Sequence, residues 1–466
     1  MTFLHSFPSR LLLLTVAWGL FALSGSALAA ESARADGLKE AQAAFNKKQY
    51  DQALQLLESL GKGGKVTADV RRLKIRTLVK LGKPLDALAE YDALVPSGKS
   101  DDRPLLREVA FSFIIPMLKD MRVQMRGVGY TALKEIESEE SVPYFEDGLS
   151  DGAGQVRALA AEGLGQFEVG RRSPRLKNAL QDQAAYVRKY AVQALGKTGD
   201  RALAGVIEKS LEDEEPLVRV SAAGALAMLN QPLGWERLSG SAKSRNPDER
   251  SAALRTLGLL KRGTSFPELD AALGDPQPSV RAAAVSGMGD LGEKKAGPVL
   301  LKALHDPLPA VRGAALTGLG KLHYTDAMNE VKNMLSDKNP GVRADAVAVL
   351  LEFNAPYSMV AGTVRELAGD KEPGIRARVS RSLSKSQGES VRDAVEGLRL
   401  LFQDVLPLPR MTAARALGHT TSPHAAAILK EALHDQDDGV RATAAGALIR
   451  VLDGKAGTGK GEPAEG

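Results

Sequence analysis

Four basic side chains crowd the segment Ile375-Arg-Ala-Arg-Val-Ser-Arg-Ser-Leu-Ser-Lys385: Arg376, Arg378, Arg381 and Lys385. Guanidinium groups grip carboxylate and phosphate oxygens in pairs, so a cluster of this kind is a candidate site for an anion or an acidic partner. The plainer reading is a solvated helix face whose arginine stems cover apolar surface. Other chemistry has little to stand on. Hydrolase and metalloprotease signatures such as G-x-S-x-G and H-E-x-x-H are absent from the chain. The six histidines are scattered, and His305 and His434 read as helix-end residues. Asp435-x-Asp437-Asp438-Gly439 lacks the ligand spacing of a calcium loop. Gly454-x4-Gly459-Lys460 imitates a phosphate-binding loop, but Gly461 stands where Ser or Thr would ligate magnesium. No catalytic residue, metal ligand set or cofactor site is expected.

The elements that position the basic cluster belong to a repeat. Val-Arg recurs at Val156-Arg157, Val187-Arg188, Val218-Arg219, Val280-Arg281, Val311-Arg312, Val342-Arg343 and Val440-Arg441, with weaker copies ending at Arg126, Arg250, Arg376 and Arg410. The arginines step by 31 from Arg126 to Arg343, then by 33, 34 and 31 to Arg441. A fixed period of this length signals stacked copies of one supersecondary unit. Within a copy, Val280, Ala283, Ala284, Gly287 and Met288 fall on one helical stripe. A turn containing Gly199, Gly263 or Gly292 follows, then a second amphipathic segment such as 296–305. Two helices of about 10–13 residues fill each period.

An Asp stands six residues before every slot arginine, from Asp120 and Asp151 to Asp404 and Asp435, except that Ser244 precedes Arg250. Prolines crowd the same turn, where the first helical position tolerates them. The regularity predicts a structural ladder of Asp and Arg along the inter-repeat turns. A binding role would not require the same pair in every copy, whereas stacking would. In the Arg376 copy, Arg378 takes a position that is Ala in three others, and this copy and the next carry extra length. Irregular copies in a regular array are where specific contacts tend to sit.

The D-x5-R pattern with A-L-G downstream resembles HEAT repeats, in particular the short type of roughly 30 residues known from phycobilisome lyases. The resemblance covers residues 104–452. It departs where the A-L-G glycine becomes Ala227, Leu351, Ser384 or Ile449. It implies an all-α fold, an α-solenoid (a right-handed superhelix of stacked helical hairpins), with second helices on the concave, partner-binding face. Eleven repeats at about 10 Å per helix layer would make a rod or arc on the order of 100 Å long.

The flanks follow other rules. A basic Arg10, an apolar run over residues 11–23 and Ala27-Leu28-Ala29 make a secretory signal, expected over residues 1–29. Residues 37–95 carry Ala43-Ala44-Phe45, Tyr50 and Ala53-Leu54, a texture that returns at Leu78, Leu81-Gly82 and Ala87-Leu88. That stretch resembles a tetratricopeptide-like pair of hairpins, read as a helical cap on the array. Residues 453–466 hold no apolar residue beyond alanine and should form a disordered tail. The chain has no cysteine, hence no disulfide and no thiolate metal site. Its formal charge of +5 over 466 residues gives no argument for nucleic acid.

These observations predict a non-catalytic protein–protein interaction scaffold or adaptor, periplasmic or secreted after cleavage of the signal. It would bind one or more proteins or peptides, without nucleic acid or a membrane span. Binding is expected on the second helices, at Lys302, Lys332, Arg365, Arg399 and Lys430. The resemblance leaves one alternative, a lyase- or isomerase-like or modification-assisting role of the phycobilisome-lyase type.

Overall fold

The computed structural model describes residues 34–62, 66–96 and 99–455; the signal-like segment and most of the C-terminal tail lie outside them. Among the described residues every regular element is a helix, as the 31-residue period requires. The chain divides into two compact units, one up to Ser112 and one from Phe113 onward.

In the first unit, residues 34–46 and Tyr50–Lys62 form one helical hairpin, and Ala68–Lys80 and Pro84–Leu94 form another. Ala41, Leu57, Val70 and Leu73 close the core between the hairpins. Glu90 ties the second hairpin together by accepting from Arg71 at 2.7 Å and Lys74 at 2.8 Å.

The second unit holds the repeats. Among the described residues eleven long first helices run from Val123–Ile136 and Gly154–Leu164 to Pro407–His419 and Asp438–Leu452. Each opens three residues after its Asp, or after Ser244 in the Arg250 copy. The Asp carboxylate accepts the amide of residue i+2, as in Asp182 to Ala184 at 2.8 Å, and proline commonly takes the first helical position. Many of them stop at a left-handed residue eleven positions after the slot arginine. Gly199 and Gly292 adopt this conformation freely, whereas Glu137, Asn230, Lys261, His323 and Asn354 adopt it at a steric cost. In the Arg250 copy the left-handed residue is therefore Lys261, and the expected turn residue Gly263 instead starts a 3-10 segment.

Second helices are short, from Glu168–Arg171 to the eight residues of Ala425–Ala432, except for Pro232–Ser241 and the twelve-residue Ser390–Leu401. Ser390–Leu401 absorbs the extra length anticipated around Arg376.

The array closes on itself. Each first helix packs on the next, and the last, Asp438–Leu452, packs equally against the first, Val123–Ile136. A Cβ placed on Gly446 would meet the Ala132 carbonyl oxygen at 2.8 Å, so glycine permits the approach. Lys455 donates to the Ile136 and Glu137 carbonyls at 2.9 and 2.7 Å, Arg450 meets Glu137 at 2.7 Å, and Arg122 reaches Asp438 at 3.4 Å. The expected rod or arc with separated ends is thus replaced by a ring. The physical reason is curvature: a small rotation at each interface, repeated eleven times, brings the ends together.

A candidate binding channel inside the ring

The ladder forms, with a partner the sequence did not point to. Each slot arginine donates from Nη1 to the backbone carbonyl of the Asp six residues earlier, as Arg157 does to Asp151 at 2.8 Å. Its Nε and Nη2 grip the carboxylate of the next Asp along, 25 residues later, as Arg157 does to Asp182 at 2.7 and 2.8 Å. The same fork joins Arg126 to Asp151, Arg188 to Asp213, Arg250 to Asp275, Arg281 to Asp306, Arg312 to Asp337 and Arg410 to Asp435, and over 28 residues Arg376 to Asp404. Burial pushes Asp151, Asp182, Asp213, Asp275, Asp306 and Asp337 up, but the guanidinium and the i+2 amide outweigh it and hold them below the usual carboxylate range.

Three rungs differ. Ser244 leaves Arg219 without its Asp, and Glu249, in the slot where valine is usual, replaces it. Glu249 accepts from Ser241 and Ser244 at 2.9 Å each and lies 3.5 Å from Arg219. Arg343 turns to Glu366 at 2.8 Å, because the following copy is longer. At the seam Arg441 pairs with Asp438, and Asp120 is claimed by Arg122, whose hydrogen bonds pull it down to about 2.

The inner wall belongs to the first helices. They are already at closest approach: a Cβ on Gly258 would lie 2.4 Å from the Gly287 carbonyl oxygen, and one on Gly289 2.5 Å from Gly318 Cα. Helices inside a closed ring must be nearer their neighbours than those outside, and second helices hardly touch one another. Side chains two copies apart confirm the geometry. Glu135 of the first copy accepts from His419 of the tenth at 3.1 Å and pairs with Arg415 at 3.0 Å, across Gly446 of the eleventh. Such reach exists only on a concave face. Burial pushes Lys189 down, with Arg255 two copies away adding to it, and pushes Lys197 down, with Arg171 and Lys134 adding.

The expected binding row, Lys302, Lys332, Arg365, Arg399 and Lys430, lies on second helices and therefore on the outer row. Close packing of small residues is the reason. Gly and Ala on the flanks of the first helices let these helices, and not the second ones, converge.

The four basic residues of the Arg376 copy separate. Arg376 is a rung, bound to Asp404. Arg378 forks onto Asp345 of the preceding copy, with Nε–Oδ1 at 2.8 Å; burial pushes the Asp345 carboxyl up and Arg378 partly opposes it. Arg381 and Lys385 are both exposed, on the inner stripe. Arg381, Ser384, Thr412, Arg415 and His419 line one small cavity. Arg415 and His419 were missed in the sequence, although they stand five and nine residues after Arg410, as Arg381 and Lys385 do after Arg376.

No group of His, Asp or Glu among the described residues could hold a metal ion, and no described helix is long and apolar enough to cross a membrane. The HEAT repeats family matches residues 173–242, 235–308, 297–358 and 364–449, together more than half of the chain. Solved structures match the chain at low identity. The complex of CpcE and CpcF of phycocyanin lyase from Nostoc is 24% identical, covering 48% of this chain and 92% of that one, with a TM-score of 0.33. Human deoxyhypusine hydroxylase is 21% identical, covering 55% and 98%, with a TM-score of 0.27. The Escherichia coli protein YibA is 16% identical, covering 57% and 98%, with a TM-score of 0.35. No curated protein matches the chain.

Proposed function

The chain belongs to the HEAT-repeat family, and we propose that it is a non-catalytic interaction scaffold, exported to the periplasm, that holds a partner protein in its ring. The observation that supports this reading most is the division of labour on the first helices. Their rim and flanks repeat nearly unchanged, while the stripe facing the channel changes character from copy to copy. At the position five residues after the slot arginine it runs through Thr131, Glu162, Gln193, Gly224, Arg255, Ser286, Thr317, Ala348, Arg381, Arg415 and Gly446. Stacking alone does not call for such variety; recognition of an irregular partner does. The N-terminal apolar run with its Ala27-Leu28-Ala29 site supports export.

Two measurements test the reading. Residues 1–35 fused to a phosphatase that is active only outside the cytoplasm should give activity; an inactive fusion removes export. Immobilised mature protein should retain one envelope protein at fixed stoichiometry, with light scattering giving the mass of the complex. Repeated recovery of the protein alone counts against a scaffold.

A further inference from the structure

Five cations gather on one stretch of the channel wall, and a single acid answers them. Lys134 belongs to the first copy, Arg171 to the second, Lys189 and Lys197 to the third and Arg255 to the fifth. The acid is Glu162 of the second copy, which accepts from Lys134. Among the described residues no carboxylate forms a salt bridge with Arg171, Lys189, Lys197 or Arg255. Arg171 donates only to the Gly165 and Gln166 main-chain carbonyls, at 3.2 and 3.4 Å. The Lys189 ammonium rests 5.0 Å from the centroid of the Tyr190 ring, a contact that leaves its charge uncompensated.

Of the charged groups that act on Lys189 and Lys197, Glu162 alone is an acid. Desolvation by the surrounding wall pushes both lysines down. Arg255 lowers Lys189 further, and Arg171 and Lys134 lower Lys197. Both still reach the channel, Lys197 exposed and Lys189 half-buried. Like charges held in this way are stabilised by an anion brought from outside. The wall can supply an acid where the fold calls for one: Lys321 meets Asp290 at 2.6 Å, Arg378 meets Asp345 at 2.8 Å and Arg415 meets Glu135 at 3.0 Å.

The cations fall into two groups. Lys189 and Arg255 act on each other across the fourth copy, where Gly224 puts no side chain at the matching position. Lys197 is grouped with Arg171 and Lys134. Lys189 and Lys197 stand eight residues apart on one helix, about 12 Å along the channel.

We propose that this wall binds the partner protein through two acidic groups about 12 Å apart, one received by Lys189 and Arg255 and the other by Lys197 and Arg171. The inference rests on the scaffold reading and names the chemistry of the partner. A lone phosphate ion reaches one group of cations and leaves the other unanswered, whereas two carboxylates on one chain answer both.

The test uses the mature protein and a labelled alanine-rich peptide with two Glu pairs eight residues apart, read by fluorescence anisotropy. Saturable, salt-sensitive binding is expected. The same peptide with its Glu pairs adjacent should bind at least fivefold more weakly. Lys189→Gln with Arg255→Gln, and Lys197→Gln with Arg171→Gln, should each weaken binding at least tenfold. Glu162→Gln, which releases Lys134, should tighten it at least threefold. Lys302→Gln with Lys332→Gln, on the outer row, should leave it within twofold. Without peptide, Lys189→Gln should raise the thermal midpoint, because it removes a charge the fold does not compensate. Circular dichroism checks folding, and the single Lys189→Gln and Lys197→Gln variants replace a pair that unfolds. The proposal is overturned if the wild type does not bind the peptide, if the wall variants bind as the wild type does, or if Glu162→Gln weakens binding. It is equally overturned if Lys189→Gln lowers the midpoint, or if inorganic phosphate at matched ionic strength or phosphatidylglycerol vesicles take the peptide's place. Stoichiometric capture of an envelope protein, measured alongside with the same variants, separates failure of this site from failure of the scaffold reading. Capture that survives every wall variant sinks the site and leaves the scaffold standing.

Discussion

The rim and the inner stripe lie on the same eleven helices, yet they obey opposite rules. On the rim one arrangement recurs: an arginine fork, a carboxylate 25 residues on, and an amide two residues beyond that. On the inner stripe hardly two neighbouring copies agree. The rim joins each copy to the next, so a change there disturbs stacking and is matched by a second change nearby, as Ser244 is by Glu249. The inner stripe meets the channel, where a change disturbs little of the fold.

Acid should erase the contrast most completely. The rung carboxyls have folded pKa values below those of the unfolded chain, so their stabilisation is full above the ordinary Asp value near ~4 and is lost as pH falls through the depressed values. The urea midpoint should therefore drop steeply between about pH 4 and pH 2, and by more than any single substitution achieves at pH 7. A flat midpoint over that window would mean that the rungs add nothing.

Breaking one rung comes next. Arg157 and Asp182 are 9% and 13% exposed, and Asp182→Ala strands the guanidinium among carbonyls. A loss of about 2–4 kcal/mol is expected from urea unfolding, with hydrogen exchange rising first in the flanking copies. A loss below ~0.5 kcal/mol would reduce the ladder to ornament. A smaller and opposite effect should follow from restoring the regular pattern. Ser244→Asp together with Glu249→Val should stabilise by about 1–2 kcal/mol, whereas either change alone should destabilise. Ser244→Asp alone sets two carboxylates together, and Glu249→Val alone leaves Arg219 without an acid. Additive single effects would break the claim that the two departures compensate. Smallest of all, Ser286→Ala and Thr317→Ala on the inner stripe should move the thermal midpoint by no more than ~0.5 kcal/mol permits.

Much of this was legible in the sequence. The helical hairpins, the Asp and Arg of the rim and the prolines of the turn follow from spacing alone. The pairing did not, because an Asp six residues before an Arg is conspicuous in a sequence, whereas the Asp 25 residues after it is found only once the copies are stacked. Curvature was illegible for a different reason. It arises from many small rotations, set by whether Gly or Ala stands at contacts such as Gly258–Gly287 and Gly289–Gly318, and no single residue announces it. The inner face followed the curvature: once first helices converge, the second helices with Lys302 and Lys332 turn outward. The basic cluster was half legible. Arg376 repeats a rung, and Arg378 answers Asp345, 33 residues earlier, in a match visible only as two opposite charges at a position that is uncharged in the other copies.

Ring closure also changes how the chain can fold. An open array of this kind contacts itself only across neighbouring copies and can grow from any point. The seam adds contacts of another order, joining Arg122 to Asp438 and Lys455 to Ile136 across more than 300 residues of chain. Loop entropy grows only as the logarithm of length, so closing a loop ten times longer than one repeat costs about 2 kcal/mol more. That makes the seam the last interface to form and the first to part, and it sets a rate for opening that the other ten interfaces do not share.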